Sequence, residues 1–174
     1  MIYLTLLVGA MREGRDMSFK EKSIFGTLLL VLWVAAAYFT KVVAMLTAGD
    51  VDFVALGKLA VGLIVFFIIV EIVLHAVIAA GSSKEVLEIE DERDRLIELK
   101  GERVGGLLLG IGVAFTIGHI AVHGVFGDRT SSYPEIARFF DNSPFVTANL
   151  LLFWLTVSEV GKYVSQLLYY RRGV

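Results

Sequence analysis

Ionisable side chains stand inside two long apolar stretches of this sequence. Glu71 and His75 are four residues apart in one stretch, and Glu159 and Lys162 are three apart in another. Each spacing places its pair on one face of a helix. A charge at the centre of a bilayer costs about 2.5–3.5 kcal/mol on insertion scales, so charges there are expected to pair. We predict one intramembrane polar cluster of Glu71, His75, Glu159 and Lys162, with an ion pair between Glu71 and Lys162.

Two interpretations of this cluster are open. The cluster has two acids, Glu71 and Glu159, and one lysine, so one carboxylate has no cationic partner. Such a carboxyl group can stay protonated. In the first interpretation the buried ion pair fixes the register of neighbouring helices and does no chemistry. In the second, the cluster moves protons or ions, with His75 extending the relay.

A second pair of candidate ligands, His119 and His123, is spaced one helical turn apart. Paired histidines can hold zinc, copper or haem, but such sites need further ligands, and only Asp128 and Glu135 are near. We therefore predict no metal and no cofactor, with these histidines as weak candidates. The chain has no cysteine, which excludes thiolate ligands and thiol catalysis. Because no catalytic motif is recognisable, we expect a protein that is not an enzyme and has no catalytic residues.

The elements that position these residues are predicted to be membrane helices. The 174 residues are 56% hydrophobic, and the mean hydropathy is +0.73. About 20 apolar residues cross the hydrocarbon core as a helix, whereas unpaired strands are excluded there. The stretches 24–45, 53–80, 104–126 and 145–168 meet that length. We predict an all-α, antiparallel four-helix bundle in the membrane, occupying residues 23–170.

Lysine and arginine counts predict the orientation of this bundle. Eleven of these residues lie in the segments on one side, and only Arg129 and Arg138 lie on the other. Cytoplasmic segments carry the basic excess. We expect a multi-pass protein of the cell membrane with segment 1–22, the middle loop and tail 171–174 in the cytoplasm. Met17 is a candidate start, with residues 1–16 then outside the native chain.

The loops carry helix signals of their own. Asp50 or Asp52 is placed to cap the second helix. Residues 132–140 predict a short interfacial helix, and Pro144 indicates that the fourth helix begins near Phe145.

Glycine is dense in the third stretch. Gly106 and Gly110 have the GxxxG spacing, and Gly112 and Gly118 add further notches. Such notches let another helix approach closely. We expect packing within the bundle, with homo-oligomerisation through Gly106 and Gly110 as the alternative.

The most distinctive segment, 84–103, is rich in charge and in good helix formers. We predict an acidic cytoplasmic helix between the second and third membrane helices. It is either a solvated connector or a face that binds a partner protein. A divalent-metal site from Asp91, Glu92, Asp94 and Glu98 is a third and weaker interpretation.

Part of this segment carries a resemblance. Residues 91–94, Asp-Glu-Arg-Asp, followed by Ile97 and residues 103–105, Arg-Val-Gly, resemble the signature of an uncharacterised family of small prokaryotic membrane proteins. The likeness covers about 15 contiguous residues, and Gly106 stands where that pattern has an aromatic residue. In the family the motif links the second and third of four membrane helices. Its members are often encoded beside a helix-turn-helix regulator, so the resemblance implies a cytosolic transcription factor as partner.

Two hypotheses of function follow. The first is a non-enzymatic membrane anchor or regulator that displays the acidic helix to a cytosolic protein, without direct contact to nucleic acid. Its predicted partner-binding residues are Asp91, Glu92, Arg93, Asp94, Glu98 and Arg103. The alternative is a small transporter or channel subunit that uses the intramembrane cluster.

Overall fold

Four long helices make up the described part of the chain. The computed structural model describes residues 18–50, 52–80, 92–126 and 144–172. The helices are α1 (Phe19–Ala48), α2 (Phe53–Ala80), α3 (Glu92–Phe126) and α4 (Pro144–Arg172). Each is long and apolar enough to cross a membrane, which confirms four candidate spans and suggests a multi-pass membrane protein. The predicted interfacial helix at 132–140 lies outside the described residues.

The helix ends follow local signals in the sequence. Ser18 Oγ accepts a hydrogen bond from the Glu21 amide at 3.2 Å, and Glu21 Oε2 accepts one from the Ser18 amide at 2.9 Å. This reciprocal capping box starts α1. Gly49 ends α1 in the left-handed region at φ 72°. Asp52, rather than Asp50, caps α2 by accepting hydrogen bonds from the amides of Val54 and Ala55.

The third helix differs from the prediction. Residues 92–103 are not a separate extension but the first three turns of α3, which continues unbroken for 35 residues. Residues 84–91 lie outside the described part. The segment contains no proline that would interrupt the helix. Gly101 lies within the helix, and its lack of a side chain leaves room for Gln166 of α4. The charged residues from 92 onward and the apolar stretch therefore belong to one continuous helix.

Helix α1 packs against both α2 and α4, and α4 packs most extensively against α3. Neighbouring helices run in opposite directions. Gly26 near the start of α1 lies against Leu74 near the end of α2, and Glu21 forms an ion pair with Arg171 of α4 at 3.4 Å. At the opposite end of the molecule an apolar cluster of Val42, Leu56, Phe145 and Val146 holds α1, α2 and α4 together.

Glycines set the distance between α3 and α4. A Cβ at Gly105 would lie 3.3 Å from the Ser158 backbone oxygen, and one at Gly112 would overlap the side chain of Trp154. The Ser158 hydroxyl donates to the Gly105 backbone oxygen at 2.8 Å. Gly161 faces Leu108 in the same contact.

The expectation that Gly106 and Gly110 pack within the bundle is wrong. Among the described residues, no atom lies within 4 Å of a Cβ built at Gly106, Gly110 or Gly118. Successive residues of a helix are rotated by about 100°, so the face of Gly105 and Gly112 points at α4 while that of Gly106 points away. Of the four predicted notches, Gly112 is the one that packs against another described helix.

We predict that Gly112→Ala lowers the free energy of unfolding by about 1–3 kcal/mol, because its methyl group cannot avoid Trp154 without moving a helix. The matched control Gly118→Ala, on the same helix, has open space and should be neutral or slightly stabilising, since alanine favours the helix. Unfolding of both variants in detergent micelles, followed by circular dichroism, measures the difference. Equal stabilities would contradict the close α3–α4 contact.

Candidate functional site: a polar cavity at the basic end

The described lysines and arginines concentrate where α1 and α3 begin and α2 and α4 end, which we call the basic end. A cavity of about 380 Å³ opens there, and all four helices line it. Its ionisable lining comprises Lys20, His75, Asp94, Glu98, Glu102 and Lys162. The phenol rings of Tyr163 and Tyr170 complete the wall contributed by α4. Charged and aromatic side chains thus line one cavity, as in sites that bind small molecules.

Three acids form a row along the cavity. Asp94, Glu98 and Glu102 recur every four residues of α3, which places them on one face of the helix. Asp94 Oδ2 lies 3.5 Å from Lys20 Nζ, and Glu102 Oε1 lies 3.3 Å from Lys162 Nζ. Glu98, between them, has no hydrogen bond or ion pair within the described ranges. The middle carboxylate of the row is therefore open to the cavity.

Lys162 shows how this site holds an ammonium group. Its Nζ lies 2.9 Å from Glu159 Oε2 and 3.3 Å from Glu102 Oε1, and 4.8 Å from the ring centroid of Tyr163. The side chain is 16% exposed. Two carboxylates and an aromatic face thus surround one cation, the combination expected for a desolvated ammonium.

Glu71 and His75 connect α2 to α1. The Thr27 hydroxyl donates to Glu71 Oε1 at 2.7 Å, and His75 Nε2 lies 3.0 Å from the Ser23 hydroxyl. His75 Nδ1 donates to the backbone oxygen of Glu71 at 2.9 Å and lies 3.6 Å from Oε1 of the same residue. Glu71 Oε2 is buried and has no hydrogen-bond partner in the described part of the chain.

The predicted four-member cluster is therefore divided. Glu159 and Lys162 are paired on α4, and Glu71 and His75 are joined on α2, but no Glu71–Lys162 ion pair forms among the described residues. Lys162 is paired with Glu102 of α3 and Glu159 of α4, whereas Glu71 receives a hydrogen bond on Oε1 from Thr27 of α1. His75 and Lys162 both line the cavity, so each half of the predicted cluster contributes one side chain to it.

The predicted partner-binding residues also separate into two groups. Arg93 donates to the Tyr170 backbone oxygen at 3.3 Å, and Asp94 accepts from the Tyr170 hydroxyl at 2.8 Å. One turn on, Ile97 is 1% exposed. Arg93 and Asp94 thus fasten α3 to α4. Glu92, Glu98 and Arg103 are exposed, as is Arg93, but make no hydrogen bond to α4 among the described residues. Asp91 lies outside the described residues, and partner binding itself stays a prediction.

Sequence reasoning missed several residues of the cavity. Lys20, Glu102, Gln166 and Tyr170 line the cavity but are not among the residues that the sequence predicts for a site. The spacing of Asp94, Glu98 and Glu102 was the available signal for the row of acids. No sequence signal pointed to Lys20, because its partner is 74 residues away.

The weak metal candidates gain no further ligand in the part of the chain that is described. No group of three or more His, Cys, Asp or Glu side chains is close enough there to hold a metal ion. His119 lies on α3, and the side chain of His123 lies outside the described set.

We predict that Tyr170→Phe lowers the free energy of unfolding by about 1–3 kcal/mol, because it removes a partly buried hydrogen bond to a carboxylate. The neighbouring Tyr169→Phe is the control, since Tyr169 contacts Lys100 through its ring face. Unfolding in micelles of these variants, of Asp94→Asn and of the Tyr170–Asp94 double variant measures the coupling energy. Additive effects of the Tyr170 and Asp94 changes would refute this bond.

Comparison of the chain with family models, with curated proteins and with solved structures found no match. The findings identify no family, and the resemblance carried by residues 91–105 stays a prediction.

Proposed function

We propose that the protein is a small transporter or channel subunit for a small cation, which enters the cavity from the basic end. The observation that carries this proposal is Glu98, a carboxylate that pairs with none of the described residues and lies on the wall of a cavity that all four helices line. The lining places three carboxylates, Asp94, Glu98 and Glu102, against the ammonium groups of Lys20 and Lys162. With His75 neutral, the cavity therefore carries one negative charge in excess, which favours a cation.

The aromatic lining supports the same class of ligand. Tyr163 already receives the ammonium of Lys162 on its face, and the Arg93 guanidinium lies 6.0 Å from the ring centroid of Tyr170. Such faces attract ammonium ions as well as metal cations. In this proposal the basic end lies in the cytoplasm, as the lysine and arginine counts predict.

Passage through the membrane needs more than one chain or a change of packing. The apolar cluster of Val42, Leu56, Phe145 and Val146 fills the end opposite the cavity. The open face of Gly106 and Gly110 gives room for a second copy to approach, which is the homo-oligomer of this proposal.

The test is uptake of radiolabelled rubidium and choline by vesicles of phosphatidylcholine and phosphatidylglycerol that contain the purified full chain. Wild type should take up at least one probe faster than empty vesicles. Glu98→Gln should slow that uptake about tenfold, the usual effect of losing one charge-assisted contact. Glu92→Gln, on the same helix but outside the cavity, is the matched control. Uptake equal to that of empty vesicles, or unaffected by Glu98→Gln, would contradict the proposal.

A second candidate function is the membrane anchor that binds a cytosolic protein such as a helix-turn-helix regulator. The exposure of Glu92 and Arg103 near the start of α3 favours it. Because Arg93 and Asp94 hold α3 on α4, substituting them would disturb the bundle as well as any docking face.

We predict for this candidate that crosslinking in the native cell captures one cytosolic protein with wild type and loses it with a Glu92→Gln, Arg103→Gln double variant. Lys58→Gln, an exposed change near the start of α2, is the control and should keep the capture. Membrane levels of all three forms are compared by immunoblot. Identical captured proteins in the double variant and wild type would remove the anchor hypothesis in this form.

A further inference from the structure

We infer that Glu71 and His75 form a proton-binding site that fills from the basic-end cavity. The pair lies between α1 and α2, where Thr27 and Ser23 are its partners. His75 lines the cavity, and Glu71 lies one helical turn deeper into the apolar part of α2. This inference goes beyond the proposed function, because the pair can bind a proton whether or not the cavity carries a cation.

The hydrogen bonds determine which ring nitrogen of neutral His75 carries the hydrogen. The backbone oxygen of Glu71 can only accept, so His75 Nδ1 carries a hydrogen. In the neutral ring, Nε2 then accepts from the Ser23 hydroxyl. The acceptor nitrogen of His75 belongs to the side chain that lines the cavity, where water can supply a proton.

One proton from water can move through this arrangement without any other reactant. It binds Nε2 and makes His75 an imidazolium. Glu71 Oε1, 3.6 Å from Nδ1, then comes within hydrogen-bond distance by rotation of the two side chains and takes up the Nδ1 hydrogen. The products are a protonated Glu71 and a neutral His75 whose hydrogen now lies on Nε2. The pair has gained one proton, and its charge has changed from negative to zero.

The surroundings favour the neutral state. Glu71 Oε2 is buried without a partner in the described part of the chain, and the neighbouring Ile68 and Ile72 are more than half exposed on a face that membrane lipid would cover. A carboxylate beside hydrocarbon is costly unless it is neutralised. The described residues of α1 that hydrogen-bond to the pair are Ser23 and Thr27, through their hydroxyls. The titratable and charged groups that face it across the cavity are Lys20 of α1, Asp94, Glu98 and Glu102 of α3, and Lys162 and Tyr163 of α4.

Infrared difference spectroscopy of the full chain in phosphatidylcholine vesicles tests the site, with the pH lowered from about 8 to about 5, the range in which histidine titrates. Wild type should gain the carbonyl band of a protonated carboxylic acid in an apolar environment. Glu71→Gln should lose one carboxyl equivalent of that band, because its amide cannot take up the proton yet keeps an oxygen that accepts from Thr27. Glu159→Gln, whose native acid is paired with Lys162, is the matched control and should keep the band.

Nitrogen NMR of histidine-labelled protein supplies a second reading. At high pH His75, assigned by its loss in His75→Gln, should carry its hydrogen on Nδ1, and acidification should protonate Nε2. An undiminished band in Glu71→Gln, or a His75 ring that keeps one protonation state throughout, would overturn the inference. Neither measurement depends on flux, so failure of the transport proposal and failure of this inference give different results.

Discussion

The close contact between α3 and α4 is the interaction on which the rest of the site depends. In a membrane, apolar surface gains little by meeting other apolar surface, so helices associate through close packing and polar contacts. Gly105, Gly112 and Gly161 permit that approach, and the Ser158 hydroxyl adds a hydrogen bond across it. The same contact brings Glu102 to Lys162. The α3 and α4 walls of the cavity thus depend on glycines that let the two helices approach closely.

Polar contacts hold α2 against α1 near the basic end. Most of its large apolar residues are exposed, with Val61 at 62% and Ile72 at 65%, so apolar burial contributes little to its attachment near the basic end. There it is held by the hydrogen bonds of Glu71 and His75 to α1 and by the contact of Leu74 with Gly26. The groups that attach α2 are also the groups that can exchange a proton, so attachment and protonation are physically linked.

The positions of the helices could be predicted from the sequence, but the contacts between helices could not. Length and hydropathy located all four candidate spans, and short-range chemistry placed a cap at Asp50 or Asp52 and a helix start at Pro144, because these signals act within a few residues. The pairing of Glu71 with Lys162 failed because it required knowing which helices touch. Gly106 was chosen over Gly105 because a helix that is apolar on all sides gives no contrast to show which face is buried.

The two hypotheses of function use different faces of one helix. Glu98 faces the cavity, whereas Glu92 and Arg103 are exposed outside its lining. Between them, Arg93 and Asp94 are engaged with Tyr170, so a protein that bound the whole segment 91–94 would have to displace bonds that hold α3 on α4. Binding of that kind would change the packing of the cavity wall. Partner binding and cavity occupancy would then be coupled through Tyr170, which touches both the segment and the cavity.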